Sequence, residues 1–100
     1  MRIIAGKYKG KKIIHDRLSN IRPTQDRVRE AVFSMIQNTI VGSAFLDLFC
    51  GTGSNGIEAL SRGALSAVFV DRDIKLVKRN IVGCEESKVI VRSHVKNYLI

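Results

Sequence analysis

One stretch constrains this 100-residue chain more than any other. Ser43-Ala-Phe-Leu-Asp47-Leu-Phe-Cys-Gly51-Thr-Gly53-Ser-Asn-Gly56-Ile-Glu-Ala-Leu60 reads as a buried strand, a glycine turn and a helix in immediate succession. Glycines at 51, 53 and 56 let the backbone turn sharply and approach a ligand where a side chain would collide. The helix that follows aims free N–H groups and the positive end of its dipole at an anionic group. Asp71 closes the next apolar run, Ala67-Val-Phe-Val70, and lies 20 residues after Gly51. At that separation a carboxylate at the tip of the second strand reaches a ribose hydroxyl pair. A tight strand-helix turn with no ligand would use the glycines but has no need of carboxylates at both strand tips.

The glycines and Asp71 would suit a nicotinamide dinucleotide as well, so the ligand must be decided by another residue. Asp47 sits four residues before Gly51 at the end of the strand, where it would repel a pyrophosphate held at the turn. S-adenosyl-L-methionine has no phosphate. Its ammonium and sulfonium can face an acidic strand end while its carboxylate meets the helix N-terminus. On this reading Asp47 holds the methionine amino end, Gly51, Gly53 and Ser54 wrap the methionine and ribose, Asp71 takes the ribose hydroxyls and Arg72 flanks the adenine.

Four segments together resemble the RsmD family of bacterial 16S ribosomal RNA guanine-N2 methyltransferases: Met1-Arg-Ile-Ile-Ala-Gly-Lys-Tyr-Lys-Gly10, Arg22-Pro-Thr-Gln-Asp-Arg-Val-Arg-Glu30-Ala-Val-Phe33, Asp47-Leu-Phe-Cys-Gly-Thr-Gly53 and Glu58-Ala-Leu-Ser-Arg-Gly-Ala64. The resemblance runs in order from the first residue to about Leu99, and the basic opening and Arg-Pro-Thr helix carry its specificity. It implies transfer of a methyl group from S-adenosyl-L-methionine to the exocyclic N2 of a guanine in 16S rRNA or the small ribosomal subunit. It also implies a cofactor set of Asp47, Phe49, Gly51, Gly53, Ser54, Asp71, Arg72 and Thr24. Two departures stand out. The family's Asp/Asn-Pro-Pro-aromatic tetrapeptide, which grips the target amine and stacks on the flipped base, is not among these residues, whose single proline is Pro23. No catalytic residue is therefore assigned, and the 100 residues by themselves are expected to be inactive. At Ser93-His94 the family usually has Ala-Asp, which removes the expected carboxylate from the adenine amine.

The expected fold class is α/β: a Rossmann-like class I methyltransferase, here a partial parallel sheet behind a basic N-terminal hairpin and helix. Residues 1–40 form the basic part and residues 41–100 the first half of the cofactor-binding domain. Loss of the later strands would leave the strand at Ala44–Phe49 as an open edge, so self-association or pairing with a separate C-terminal half is expected through it. The rival readings are a non-catalytic RNA-binding fragment and an NAD-dependent Rossmann protein.

Charge is unevenly placed along the chain. The net +8 divides into +6 over residues 1–30, −1 over 31–70 and +3 over 71–100. The excess lies ahead of the glycine turn, and Arg2, Lys7, Lys9, Lys11, Lys12, Arg17 and Arg22 are the candidates to meet RNA phosphates. No apolar run has the length of a membrane span, and the N-terminus lacks a signal-peptide core, so a cytoplasmic protein with no membrane partner is expected. Cys50 and Cys84 have neither metal-site spacing nor secretory context, which leaves a metal centre or disulfide unsupported. His15 and His94 are isolated.

Local patterns fill in the rest. Arg2-Ile-Ile-Ala and Lys12-Ile-Ile flank Gly6-Lys-Tyr-Lys-Gly10, which predicts a hairpin; Tyr8 serves either base stacking or cross-strand packing. A helix should begin near Thr24, after Pro23, with Val28, Ala31, Val32, Met35 and Ile36 as its core stripe and Phe33 off it at a pocket or inter-element contact. Ile57 and Leu60 should face the sheet, with Gly63 stopping their helix. A further helix over about 73–82 should turn Ile74, Val77 and Ile81 inward and Lys75, Lys78 and Arg79 to solvent. A last strand is predicted at Lys88–Arg92. Strands this uniformly apolar predict a parallel sheet covered on both faces.

Overall fold

The computed structural model describes residues 1–15, 23–84 and 88–93, and of Pro23, Thr24 and Gln25 the backbone only. The elements are α1 (Pro23–Met35), α2 (Gln37–Ile40), β1 (Ala44–Leu48), α3 (Ser54–Ser61), β2 (Ser66–Val70), α4 (Lys75–Asn80) and β3 (Lys88–Arg92). The strands form one parallel sheet in the order β1-β2-β3, with Ala44 opposite Ser66 and Ser66 opposite Lys88. Each parallel step needs a crossover, and α3 and α4 supply the two. Among the described residues β1 therefore has an unpaired outer edge, as the sequence suggested.

Alternation along the strands builds one covered face. Phe45 of β1, Ala67 and Phe69 of β2 and Val89 and Val91 of β3 join a core with Ile57 and Leu60 of α3 and Val77 of α4. The same core takes Ile3 and Ile13 from the N-terminal segment, Phe33 from α1 and Ile40 from α2. Helix α3 lies close to the sheet, for a Cβ on Gly56 would stand 2.2 Å from the Phe69 ring, and its N-cap lies close to α4, for a Cβ on Gly53 would stand 2.6 Å from Val77 Cγ2. Gly56 is required by this helix-strand contact rather than by approach to a ligand.

Three expectations need correction. The stripe Val28, Ala31, Val32, Met35, Ile36 is not core: all five are exposed, Val28 at 57% and Met35 at 85%. Helix α1 instead buries Arg29 and Phe33, four residues apart, because the surface it lies on offers the Phe45 ring, 6.1 Å from that of Phe33, and the carboxylate of Glu58. Among the described residues the helices cover mainly one face of the sheet. On the other face Leu46 is exposed, Leu48, Val68 and Ile90 are half-buried and Val70 alone is fully buried, since the helices named above contribute to the core on the Phe69 side. Finally, α4 is shorter than 73–82. The Asp73 carboxylate accepts from the Lys75 N–H and opens the helix late, while Ile81 and Val82 lie in a turn after it.

The predicted hairpin is present as a single antiparallel bridge between Arg2 and Lys12, flanked by Ile3 N–H to Lys11 O at 2.9 Å and Ile13 N–H to Met1 O at 2.9 Å.

Candidate functional site

The turn between β1 and α3 is braced at both ends by the two carboxylates the sequence singled out. Asp71 accepts from the Gly51 N–H at 2.8 Å with one oxygen and from the Asp73 N–H at 3.1 Å with the other. Asp47 accepts from the Gly56 N–H at 3.0 Å, inside the first turn of α3. Three residues of the turn have left-handed backbone: Phe49 at φ 56°, Gly51 at 55° and Gly53 at 84°. For the glycines this costs little. For a phenylalanine it costs about 1–2 kcal/mol, and its side chain is 64% exposed.

Asp47 is only 8% exposed. Burial is the main cause that pushes its carboxyl up to about 6; the Gly56 hydrogen bond opposes the rise and the charge of Asp71 adds to it. The same burial, with the charges of Asp47 and Asp71, pushes the Cys50 thiol up to about 12, so Cys50 is an inert filler of the turn rather than a nucleophile.

Helix α3 has Gly53 as N-cap and no side-chain cap. Ser54 N–H finds Thr52 Oγ1 at 3.2 Å, Gly56 N–H finds Asp47 and Ile57 N–H finds Gly53 O. The Asn55 N–H has no acceptor among the described residues. Beside it opens a cavity of about 550 Å³, with Asp47, Ser54 and Asn55 on one side and Val28, Val32, Phe33, Ile36 and Phe45 on the other. Val28, Val32 and Ile36 of the apolar stripe thus line this cavity rather than the core, while Ala31 and Met35 face solvent. A buried carboxylate and an open helix N–H facing one mixed cavity are the donor set for an ammonium and a carboxylate carried on one small ligand.

Of the predicted cofactor residues, the structure brings Asp47 and Ser54 to this cavity and gathers Phe49, Gly51, Gly53 and Asp71 around the adjoining turn. Arg72 is exposed beyond Asp71. The side chain of Thr24 lies outside the described residues, as do Arg17, Arg22 and His94; Ser93 is exposed after β3.

The basic hairpin is clamped to the body of the protein. Lys7 N–H donates to Ser61 O at 2.9 Å, Tyr8 N–H to Ser61 Oγ at 2.9 Å, and Ile4 and Ala5 N–H to the two oxygens of Glu58 at 3.0 and 3.2 Å. Asn80 of α4 accepts from Ile14 N–H at 2.8 Å and donates to Ile14 O and Thr52 O, tying the end of the hairpin to the glycine turn. Lys7, Lys9 and Lys12 are exposed, with the Lys7 ammonium 5.1 Å from the Tyr8 ring centroid. Arg2 is exposed and its guanidinium donates to Gly10 O. The Lys11 ammonium donates to Val82 O at 2.7 Å, just past the C-terminal end of α4, where a cation is favoured by the helix dipole.

The family model described as Conserved hypothetical protein 95 matches residues 1–99. The chain belongs to this family. Among its relatives, the Bacillus subtilis protein named "Putative rRNA methyltransferase YlbH" is 45% identical over 91 residues, 88% of this chain and 50% of that protein. The Escherichia coli K12 "Ribosomal RNA small subunit methyltransferase D" is 42% identical over 73 residues, 73% of this chain and 37% of that protein. The solved structure described as "Putative methyltransferase yhhF" from Escherichia coli matches with a TM-score of 0.79 at 35% identity, over 91% of this chain and 51% of that one. The chain spans about half the length, or less, of the curated relatives it matches. Its fold is part of the Rossmann-like methyltransferase fold of these neighbours, and the resemblance to the RsmD family is borne out.

One group of residues in this Conserved hypothetical protein 95 chain escaped the sequence reading. Glu58 is fully buried in α3, 2.8 Å from Arg62 Nε and 4.0 Å from Arg29 Nε, while it also accepts from the hairpin. Arg29 continues the network to Arg2 O at 2.7 Å, and the Arg62 guanidinium lies 5.5 Å from the Phe33 ring centroid. The available signal was the Glu58–Arg62 spacing of four residues on a helix whose neighbours, Ile57 and Leu60, are inward.

Proposed function

We propose that this protein contributes to S-adenosyl-L-methionine-dependent methylation of the exocyclic N2 of a guanine in 16S rRNA. The observation that carries the cofactor assignment is the buried Asp47 beside the open Asn55 N–H in the first turn of α3: it opposes a phosphate and suits a ligand with an ammonium next to a carboxylate. S-adenosyl-L-methionine supplies a methyl group activated on a sulfonium. Asp47 would hold the amino group, the Asn55 N–H and Ser54 the carboxylate, Gly51 and Gly53 the turn around the ribose and Asp71 its hydroxyls, with Arg72 beside the adenine. Phe49 would contribute its bent backbone to that turn, and Thr24 would belong to the same cofactor set. With the ligand held, methyl transfer is chiefly alignment of an amine lone pair with the methyl carbon.

RNA is the proposed partner of the hairpin through Arg2, Lys7, Lys9, Lys11 and Lys12, together with Arg22. The names of the rRNA-modifying relatives and the net +6 of the first 30 residues support this reading. A cytoplasmic location fits such a substrate, and no described helix is long and apolar enough to cross a membrane. The outer edge of β1 is a second proposed interaction surface, for another copy or for a separate C-terminal half, and light scattering over a concentration series tests it.

Calorimetry with S-adenosylhomocysteine and with NADH tests the cofactor. Binding of the former with an affinity that Asp71→Ala lowers by about 1–3 kcal/mol supports the reading; binding of NADH alone refutes it. Tritiated methyl transfer to small-subunit RNA, with and without a relative's C-terminal half, tests the reaction.

A further inference from the structure

Asn80 stands at the last position of α4 with its side chain fully buried, where leucine would fill about the same space and favour the helix more. A buried amide is costly unless its polar atoms are bonded, and those of Asn80 are bonded to two other parts of the chain. Its oxygen accepts from the Ile14 N–H at 2.8 Å and its nitrogen donates to Ile14 O at 2.8 Å, so it holds the end of the hairpin by both backbone groups of one residue. The same nitrogen donates to Thr52 O at 2.9 Å. Thr52 lies between Gly51 and Gly53, both with left-handed backbone, and glycines let the peptides beside them rotate at little steric cost. The peptide joining Thr52 to Gly53 is nevertheless fixed at both ends, since its N–H donates to Cys50 O at 2.8 Å while its carbonyl is held by Asn80. One buried side chain therefore sets the hairpin against the turn.

We infer that Asn80 is a positioning residue that couples the hairpin to the glycine turn, so that the cofactor and RNA each bind more tightly when the other is present. This rests on the proposed binding of S-adenosyl-L-methionine at the turn and of RNA on the hairpin. A ligand wrapped by the turn needs the peptide between Thr52 and Gly53 in one orientation and so holds the Asn80 amide in place. RNA phosphates held on the hairpin fix Ile14 against the same amide. Whichever ligand binds first bears the ordering of the shared clamp, and the second is spared it. By linkage the two enhancements are equal. The bonds from Glu58 to the Ile4 and Ala5 N–H groups also fasten the hairpin, but they end in the interior of α3 rather than on the turn, so they do not follow the state of that peptide.

Amide hydrogen exchange in the parent gives the first test and needs no variant. Saturating S-adenosylhomocysteine is expected to slow exchange about tenfold at the Ile14 N–H, which ends on Asn80, and less than about twofold at the Ile13 N–H, which ends on Met1 O inside the hairpin. Equal slowing at both amides, or at neither, would overturn the inference. The second test is calorimetric titration with S-adenosylhomocysteine and fluorescence anisotropy with a guanine-bearing RNA stem-loop, each with and without the other ligand. Each ligand is expected to tighten the other about five- to tenfold in the parent and to leave it nearly unchanged in Asn80→Leu. A residue needed only for stability would lower the melting temperature or both affinities and leave this factor as it was, so a leucine variant that keeps the parent's factor would overturn the coupling. A parent that binds both ligands independently would overturn it while the cofactor and RNA readings stand. Absence of S-adenosylhomocysteine binding by the parent would overturn the cofactor reading with it, and absence of stem-loop binding at low salt the RNA reading.

Discussion

Asp47→Asn separates what Asp47 does for a ligand from what it costs the fold. The folded-state carboxyl is raised from 3.8 to about 6, with burial as the first cause. A native pKa above the unfolded one has a definite sign for an acid. Between about pH 4 and pH 6 the folded protein keeps a proton that the unfolded chain has lost, so stability falls as pH rises through this window, and above it the full cost is present. A rise of about two pH units at about 1.4 kcal/mol each amounts to about 3 kcal/mol at neutral pH. Asparagine keeps a carbonyl oxygen for the Gly56 N–H, which Asp47 now meets at 3.0 Å, and brings no charge. The variant is expected to be more stable than the parent by about 1–3 kcal/mol at pH 7, with the gap closing toward pH 4. It should also bind S-adenosylhomocysteine about tenfold or more weakly, as for a lost hydrogen bond to a charged group. Urea unfolding of both proteins from pH 4 to 8, with calorimetric titration at pH 7, measures the two effects. A variant less stable at pH 7, or a stability gap that does not change with pH, would refute the electrostatic argument. Unchanged ligand affinity would refute the role given to Asp47.

Gly56→Ala should destabilise the fold by about 2–3 kcal/mol in urea unfolding, because its Cβ would stand 2.2 Å from a ring in the packed core; an unchanged midpoint would show that Phe69 can move aside. Glu58→Ala removes the buried carboxylate between two buried arginines and the acceptor of two hairpin N–H groups, and a loss of about 3–5 kcal/mol is expected in the same measurement. Replacing Lys7, Lys9 and Lys12 by glutamine should reduce the slope of log affinity against log salt for RNA by about 2–3, at nearly one released counterion per lost phosphate contact. Lys11→Met should instead lower stability by about 0.5–1.5 kcal/mol through its bond to Val82 O, which thermal unfolding without RNA would detect.

The order of elements, the parallel sheet and the position of the turn were legible along the chain because each depends on residues close in sequence. Glycines at 51 and 53 read as backbone that must turn, and both have positive φ. Strands such as Lys88–Arg92 show their apolar run and its length directly. Ile57 and Leu60 report the buried side of α3, because that helix is short and its apolar residues have a single sheet to meet. The spacing of Asp47 and Asp71 from the glycines likewise placed both carboxylates at the turn.

What the linear pattern left undecided was which partner each surface would meet. The stripe Val28–Ile36 is periodic, yet periodicity records only that a face is apolar. The tertiary structure set Arg29 and Phe33 inward, because Glu58 and Phe45 come to the same place from distant parts of the chain, and left Val28, Val32 and Ile36 along a cavity. Lys11 and Lys12 are chemically identical in sequence; only the position of Val82 O separates a helix-end contact from an exposed cation. The raised pKa of Asp47 is of the same kind, since desolvation is a property of everything packed around a carboxylate and not of the residues beside it in the chain.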